Sequence, residues 1–186
     1  MQLSKVSYYG DFFVYPVVVP ALAAAALWLA LPHDWDVWLI AFVGGFALWT
    51  LTEYVLHRFV LHHVPYIKDM HEAHHGDQQA LIGTPTWLSA VMMLCIVFLP
   101  LIFVSDFVVA GAMTSGLMLG YLWYVSVHHI VHHWRVEPGS YSFWLKRRHM
   151  LHHHFDEMGN FGVTSGFWDK VFGTDLKARA AAERPR

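Results

Sequence analysis

A single cysteine, Cys95, occurs among 186 residues, which excludes a disulfide framework and any cysteine-based zinc or iron–sulfur site built within one chain. Lying inside an apolar run, it reads as a buried small hydrophobe. Charge is also scarce: Asp, Glu, Lys and Arg make up 14% of the sequence, and 12 basic against 14 acidic side chains leave a formal net charge of -2. No cationic surplus is available to neutralise phosphates, so a nucleic-acid partner is excluded. Tandem repeats are absent as well. In their place the chain carries 56% hydrophobic residues and a mean hydropathy of +0.37, too apolar for a soluble fold of this length. The expected architecture is a single all-α integral membrane domain over residues 1–186.

Four stretches are long enough to cross about 30 Å of hydrocarbon at about 1.5 Å per helical residue: Phe12 to Leu31, Val37 to Val55, Trp87 to Val104 and Phe107 to Val127. The first, with Lys5 ahead of it and an Ala-Leu-Ala-Ala-Ala run inside it, has the look of a signal peptide. Its apolar core is too long for one and a second span follows at once, so it is expected to be retained. Pro16 and Pro20 inside it predict a kink or a shallow interfacial start. The turns at Leu31 to Asp36 and Ser105-Asp106 are short enough to make two hairpins. Neither contains Lys or Arg. All twelve basic residues lie in the amino-terminal arm (Lys5), between spans two and three (Arg58, Lys68) or from Arg135 onward, which predicts a cytoplasmic location for those regions and for both termini. Gly44, Gly45, Gly111, Gly116 and Gly120 allow close helix packing. The cytosolic tail runs over 128–186, and its last stretch, Leu176 to Arg186, reads as a solvated end.

Histidine is in excess, with 15 residues, and it is grouped rather than scattered. His57 and His62 close the second span, with His63 beside them. His71, His74 and His75 follow in the next cytoplasmic segment. His128 and His132, with His129 and His133, close the fourth span, and His149, His152 and His153, with His154, lie in the tail. Folding two hairpins side by side brings these groups together at one face of the bilayer. Residues three or four apart share a helix face, as in His71, His74 and His75, His128 and His132, or His149, His152 and His153; with His57 and His62 grouped at the end of the second span, these are the ten candidate metal ligands. Ten donors suit two ions better than one, and among metals that imidazole favours, redox-active iron best explains so many neutral donors around O₂. His63, His129, His133 and His154 point elsewhere around their helices and suit outer-shell or surface roles, while His33 lies in the opposite turn. Glu53, the one acid in the second span, sits four residues before His57 and either orients that imidazole or snorkels to the interface.

These residues resemble the fatty acid hydroxylase and sterol desaturase superfamily, and its lipid 2-hydroxylase branch in particular. The likeness is carried by Glu53-Tyr54-Val55-Leu56-His57-Arg58-Phe59-Val60-Leu61-His62, His71-Glu72-Ala73-His74-His75, His128 to His133, His149-Met150-Leu151-His152-His153 and the segment from Phe161 to Thr174. It implies four transmembrane helices in two hairpins beneath a histidine-rich cytosolic cap with a dinuclear site, and metal roles for the ten histidines named above. It further implies two iron ions as cofactor, with zinc as an alternative occupant on purification, O₂ as co-substrate and a membrane-lipid acyl chain as substrate, hydroxylated at carbon 2. Many such enzymes carry a fused cytochrome b5 domain, which this sequence does not contain. The two electrons are therefore expected from a separate donor, a ferredoxin or a cytochrome with its reductase. The expected location is a bacterial inner membrane with the metal site cytoplasmic.

Trp87, Tyr121, Trp123, Tyr124 and Trp134 read as interfacial belt residues or as walls of a lipid entry. Asn160 and Thr164 either form hydrogen bonds behind the ligands or shape a turn. Within the superfamily, a carotenoid or sterol hydroxylase or desaturase remains open. From other classes, a histidine-rich metal transporter would place its ligands near the bilayer midplane with acidic partners, and a bis-histidine haem cytochrome would need far fewer than ten.

Overall fold

Hydrocarbon offers no water to backbone amides, so a spanning chain must satisfy its own hydrogen bonds segment by segment. The structure, a computed structural model, describes residues 2–176, and among these only helices and their connections occur. Leu176, the first residue of the expected solvated end, is buried, and the rest of that end lies outside the described residues. Four helices are long and apolar enough to cross a membrane: Lys5–Ala30, Trp35–Leu61, Thr86–Val104 and Phe107–His133. The second and fourth run one to two turns past the expected ends, carrying His57, His128 and His132 as continuations of the spans themselves.

The first span opens with a short helix, α1 (Lys5–Tyr9), capped by the Ser4 hydroxyl accepting from Ser7 N–H at 3.1 Å. It continues as α2 (Asp11–Ala30), which stays helical through both Pro16 and Pro20. The second span is α3 (Trp35–Val55) followed by a π-helical turn, π1 (Leu56–Leu61). Next come α4 (Ile67–Gly76) and the third span, made of α5 (Thr86–Met92), a second π-turn, π2 (Met93–Phe98), and α6 (Leu99–Val104). That widened turn precedes Pro100, whose ring would otherwise press on the carbonyl four residues back. The fourth span, α7 (Phe107–His133), starts where the Asp106 carboxylate accepts from Val109 N–H at 2.9 Å, an N-cap interaction that also places negative charge at the helix start. α8 (Tyr141–His154) is capped by Ser140, and α9 (Phe167–Val171) closes the described chain.

The chain groups into two compact units, one of Gln2–Trp49 and Leu81–Trp123, the other built chiefly of Thr50–Ala80 and the chain from Tyr124 onward. In the first, α3 and α7 approach so closely that a Cβ on Gly45 would meet the Met113 carbonyl and one on Gly116 the Phe42 carbonyl. These two glycines permit backbone-to-backbone contact. A Cβ on Gly120 would clash with Trp49 Cβ and one on Gly111 would lie 3.0 Å from Ala26 Cβ, whereas a Cβ on Gly44 would meet nothing nearer than Met113 Cε at 4.0 Å. Asp11, buried within the first span, is matched rather than left alone: its carboxylate accepts from Tyr121 O–H at 2.6 Å, and Tyr15 donates to the Ser89 hydroxyl at 2.9 Å nearby. Tyr121 is therefore an internal partner and not an entry wall, while Trp87 and Trp123 are exposed, as belt residues should be. Cys95 is exposed as well, contrary to its expected burial. Where lipid is the solvent, an apolar side chain gains nothing by turning inward.

Replacing Gly116 by Val should force α3 and α7 apart and lower the thermal midpoint in detergent, by an overpacking cost of about 1–3 kcal/mol. Gly44→Ala should leave it unchanged or raise it, because Ala favours the helix by about 1 kcal/mol. Equal effects of the two substitutions would contradict the close contact.

Candidate metal centre

His57 and His62 stand five residues apart, which on an α-helix separates their directions by about 140°. The π-turn Leu56–Leu61 changes this, because its i→i+5 ladder brings such positions onto one face. Their rings lie 5.4 Å apart with planes 16° from parallel. α4 presents His71, His74 and His75, α7 presents His128 and His132 in its last turns, and α8 presents His149, His152 and His153. All four segments belong to the second compact unit.

Two sets of ring nitrogens converge there. His57, His62, His71 and His152 have one nitrogen each within 4.8 Å of the others, and so do His74, His132, His149 and His153. His75 adjoins the first set, its Nε2 3.1 Å from that of His71, and His128 adjoins the second, its Nε2 3.1 Å from that of His74. We term these group A and group B. All ten expected ligands are brought together, and the three-histidine helices divide their members: α4 gives His71 and His75 to group A and His74 to group B, while α8 gives His149 and His153 to B and His152 to A.

The spacing suits ions. In group A the Nε2 atoms of His57 and His71 are 3.1 Å apart, those of His62 and His71 3.2 Å, and those of His62 and His152 3.3 Å. In group B the separations are 3.2 Å for His74 and His132, 2.8 Å for His132 and His149, and 3.0 Å for His149 and His153. Imidazole nitrogens about 2.0–2.1 Å from a shared ion, at tetrahedral or octahedral angles, stand about 2.8–3.4 Å from one another. Hydrogen bonding among the rings cannot account for the arrangement. His71 Nε2 has three such neighbours and at most one proton to give. His57 Nδ1–H donates to the Phe161 carbonyl at 2.6 Å and His152 Nδ1–H to the Gly159 carbonyl at 2.8 Å, so both present Nε2 lone pairs inward.

Burial first, and neighbouring imidazoles second, hold the candidate ligands outside the spans in the neutral form that a metal would need. His62 and His74 are lowered to about 4. Burial brings His152 to about 3, its bond to Gly159 acting in the opposite direction. His71, His149 and His153 lie well below the ordinary imidazole range.

The remaining histidines stay outside. His33 and His63 are exposed, His154 accepts from Gln78 Nε2 at 2.8 Å, and His129 stacks on His133 with centroids 4.6 Å apart. Glu53 is buried, but it does not accept from an imidazole. Its carboxylate takes Val163 N–H at 2.6 Å, Thr164 N–H at 2.9 Å and the Thr164 hydroxyl at 2.8 Å, because the loop after α8 supplies three donors and His57 finds its partner in Phe161. Thr164 and Asn160 thus both lie behind the ligands. The sequence offered no single signal for Asp169, whose two oxygens accept Phe161 N–H at 2.8 Å and Gly162 N–H at 2.9 Å, or for Arg148, which pairs with both Asp169 and Asp175 in the interior.

The chain is also similar to known proteins. The profile of the fatty acid hydroxylase family matches residues 42–174. The ceramide very long chain fatty acid hydroxylase scs7 of Schizosaccharomyces pombe is 33% identical over 178 residues, covering 88% of this chain and 50% of that protein. The fatty acid 2-hydroxylase of Rattus norvegicus is 34% identical over 75% of this chain and 40% of its own length. The dihydroceramide fatty acyl 2-hydroxylase FAH1 of Arabidopsis thaliana is 37% identical over 71% and 59%. The chain thus spans roughly half the length of these curated relatives. A solved structure of full-length scs7p, with only the hydroxylase domain visible, is similar with a TM-score of 0.76 at 25% identity, covering 91% of this chain and 67% of that one.

The depressed imidazoles set a pH window for the metal-free protein. Folded, they remain neutral, whereas the unfolded chain takes up protons below about 6.5. Stability present above that pH should fall as the pH drops from about 6.5 towards 4, where His62 and His74 protonate. Thermal unfolding of chelator-treated protein in detergent between pH 8 and 4 checks this, and a midpoint that rises on acidification would contradict it.

Proposed function

This chain belongs to the fatty acid hydroxylase family, and we propose that it is an O₂-dependent membrane monooxygenase that hydroxylates the acyl chain of a membrane lipid, at carbon 2. The observation that carries the reading is the convergence of ten imidazoles into two groups. Two iron ions, one per group, would supply the reductive activation of O₂ that an unactivated C–H bond requires. The net reaction takes R–H, O₂, two electrons and two protons to R–OH and water.

The protein's own residues do the holding and positioning. The neutral imidazoles provide lone pairs without adding charge. His57 and His152 are fixed in one tautomer by backbone carbonyls. His57, His128 and His132 lie in the final turns of two candidate spans, which supports a centre near the boundary between hydrocarbon and water. Carbon 2 of an acyl chain, next to its polar head, lies at that same depth. The relatives' 2-hydroxylase and ceramide hydroxylase names support acyl-chain chemistry and a ceramide-like substrate.

The centre faces the cytoplasm, because the basic residues flank the histidine-bearing segments and avoid the two short turns, and the membrane is a bacterial inner membrane. A single cysteine cannot bind an iron–sulfur cluster within these 186 residues, and the electron donor in this proposal is a separate ferredoxin, or a cytochrome with its reductase.

Cells expressing the chain under ¹⁸O₂ should accumulate lipids that carry one labelled oxygen on the acyl chain, detected by mass spectrometry with the carbon located by fragmentation. His71→Ala, His132→Ala or His153→Ala should cut that signal by more than about 100-fold, beyond the 10- to 100-fold usual for losing a partner behind a ligand. His33→Ala should leave it intact. Labelled sterol or carotenoid with unlabelled acyl chains would redirect the substrate, and unlabelled product throughout would overturn the oxygenase reading.

A further inference from the structure

Groups A and B offer the same donors in different settings. In group A, two of five rings have their Nδ1–H bound to backbone carbonyls, His57 to Phe161 and His152 to Gly159. In group B, the Nδ1 atoms of His74, His132, His149 and His153 are buried with no hydrogen-bond partner among the described residues. The two carbonyls flank a single residue, Asn160, which stands in the left-handed region with φ 55. That conformation is uncommon for a residue other than glycine and is tolerated best by Asn and Asp.

The segment is anchored from every side. Asn160 N–H donates to the Thr174 carbonyl at 2.9 Å and its Nδ2 to the Arg148 carbonyl at 3.2 Å, while its Oδ1 accepts from Leu176 N–H at 3.1 Å. Asp169 takes the next two amides, Phe161 and Gly162, and is itself held by Arg148 and by the Thr174 hydroxyl. A Cβ on Gly159 would meet Leu176 and the Thr174 carbonyl, so no slack remains on that side.

We infer that the two centres hold their ions unequally, group A tightly and group B weakly, and that Gly159-Asn160-Phe161 is the positioning segment responsible. The inference rests on the reading that each group binds one ion. A carbonyl that takes the Nδ1 proton fixes the tautomer with its lone pair on Nε2, fixes the ring plane and raises the basicity of the donor. Partners of this kind are worth about 10- to 100-fold each in metal affinity, so two acting on one ion separate the centres by at least about 100-fold. For His74, His132, His149 and His153 the described residues supply no such carbonyl to select a tautomer. Metal loss and metal exchange therefore begin at group B.

The test is a titration of the purified, zinc-loaded full chain in detergent with EDTA, counting zinc per chain by mass spectrometry. Zinc is used because it does not change oxidation state in air. Two ions should fall to a plateau of one before the second leaves, with the two steps separated by at least about 100-fold in chelator. His132→Ala should begin with one ion that leaves at the later step, and His62→Ala with one that leaves at the earlier step. Asn160→Ala should weaken the later step by about 10- to 100-fold without moving the earlier one, and Asn160→Gly, which accepts φ 55 freely, should recover part of the loss. General loosening of the protein would move both steps together, and that result, like a reversed order in the two histidine variants, overturns the inference. If the Asn160 variants do not fold, the wild-type curve and the histidine pair still decide. Simultaneous loss of both ions would refute inequality while leaving the two-ion reading intact, and an untreated chain that takes up one ion or none would refute that reading itself.

Discussion

Ten imidazoles with their Nε2 atoms about 3 Å apart bring together more lone pairs than their own N–H groups can bridge. Everything else in the second compact unit follows from holding that arrangement. Each ring must be kept neutral, which burial accomplishes for His62, His74 and His152. Each must also be aimed, and aiming takes four separate segments because no single helix can present more than three donors to one point. The π-turn at Leu56–Leu61 serves this purpose, converting a five-residue spacing into a shared face at the cost of regular helix hydrogen bonding.

Behind the rings lies a frame of ordinary hydrogen bonds with little tolerance. Asp169 and Arg148, both buried, meet in a charge-assisted pair at 2.9 Å; Asp169 also accepts from the Phe161 and Gly162 amides, and the Arg148 carbonyl accepts from the Asn160 side chain. Removing one partner would strand a buried charge, which typically costs about 3–5 kcal/mol. Glu53 has the same role from the end of α3, spending a buried carboxylate on two amides and a hydroxyl. Acidic residues here organise the loop, and the loop in turn organises His57 and His152.

Much of this was legible in the sequence, for physical reasons. A span advertises itself through unbroken apolarity, so all four were found, and their ends differed mainly where helix continued past the hydrophobic stretch. Histidines at i, i+3 and i+4 declared a shared face on α4, α7 and α8. His62 was placed in the set by its neighbourhood, since its spacing from His57 fits no α-helical face and the π-turn has no plain sequence signature. The carbonyls of Gly159 and Phe161 were invisible because a backbone oxygen carries no residue identity. Glu53 was recognised as a buried acid requiring partners, but its partners lie 110 and 111 positions further along the chain, a distance that local spacing cannot bridge. Cys95 was misread by applying the logic of a water-soluble core to a helix surface that faces lipid.

The most direct measurement is an anomalous-scattering map of the crystallised protein, collected at the absorption edge of the metal it carries. Two separate peaks are predicted, one enclosed by His57, His62, His71, His75 and His152 and the other by His74, His128, His132, His149 and His153. A single peak, or peaks ligated by any residues outside those ten, would contradict the assignment of this centre.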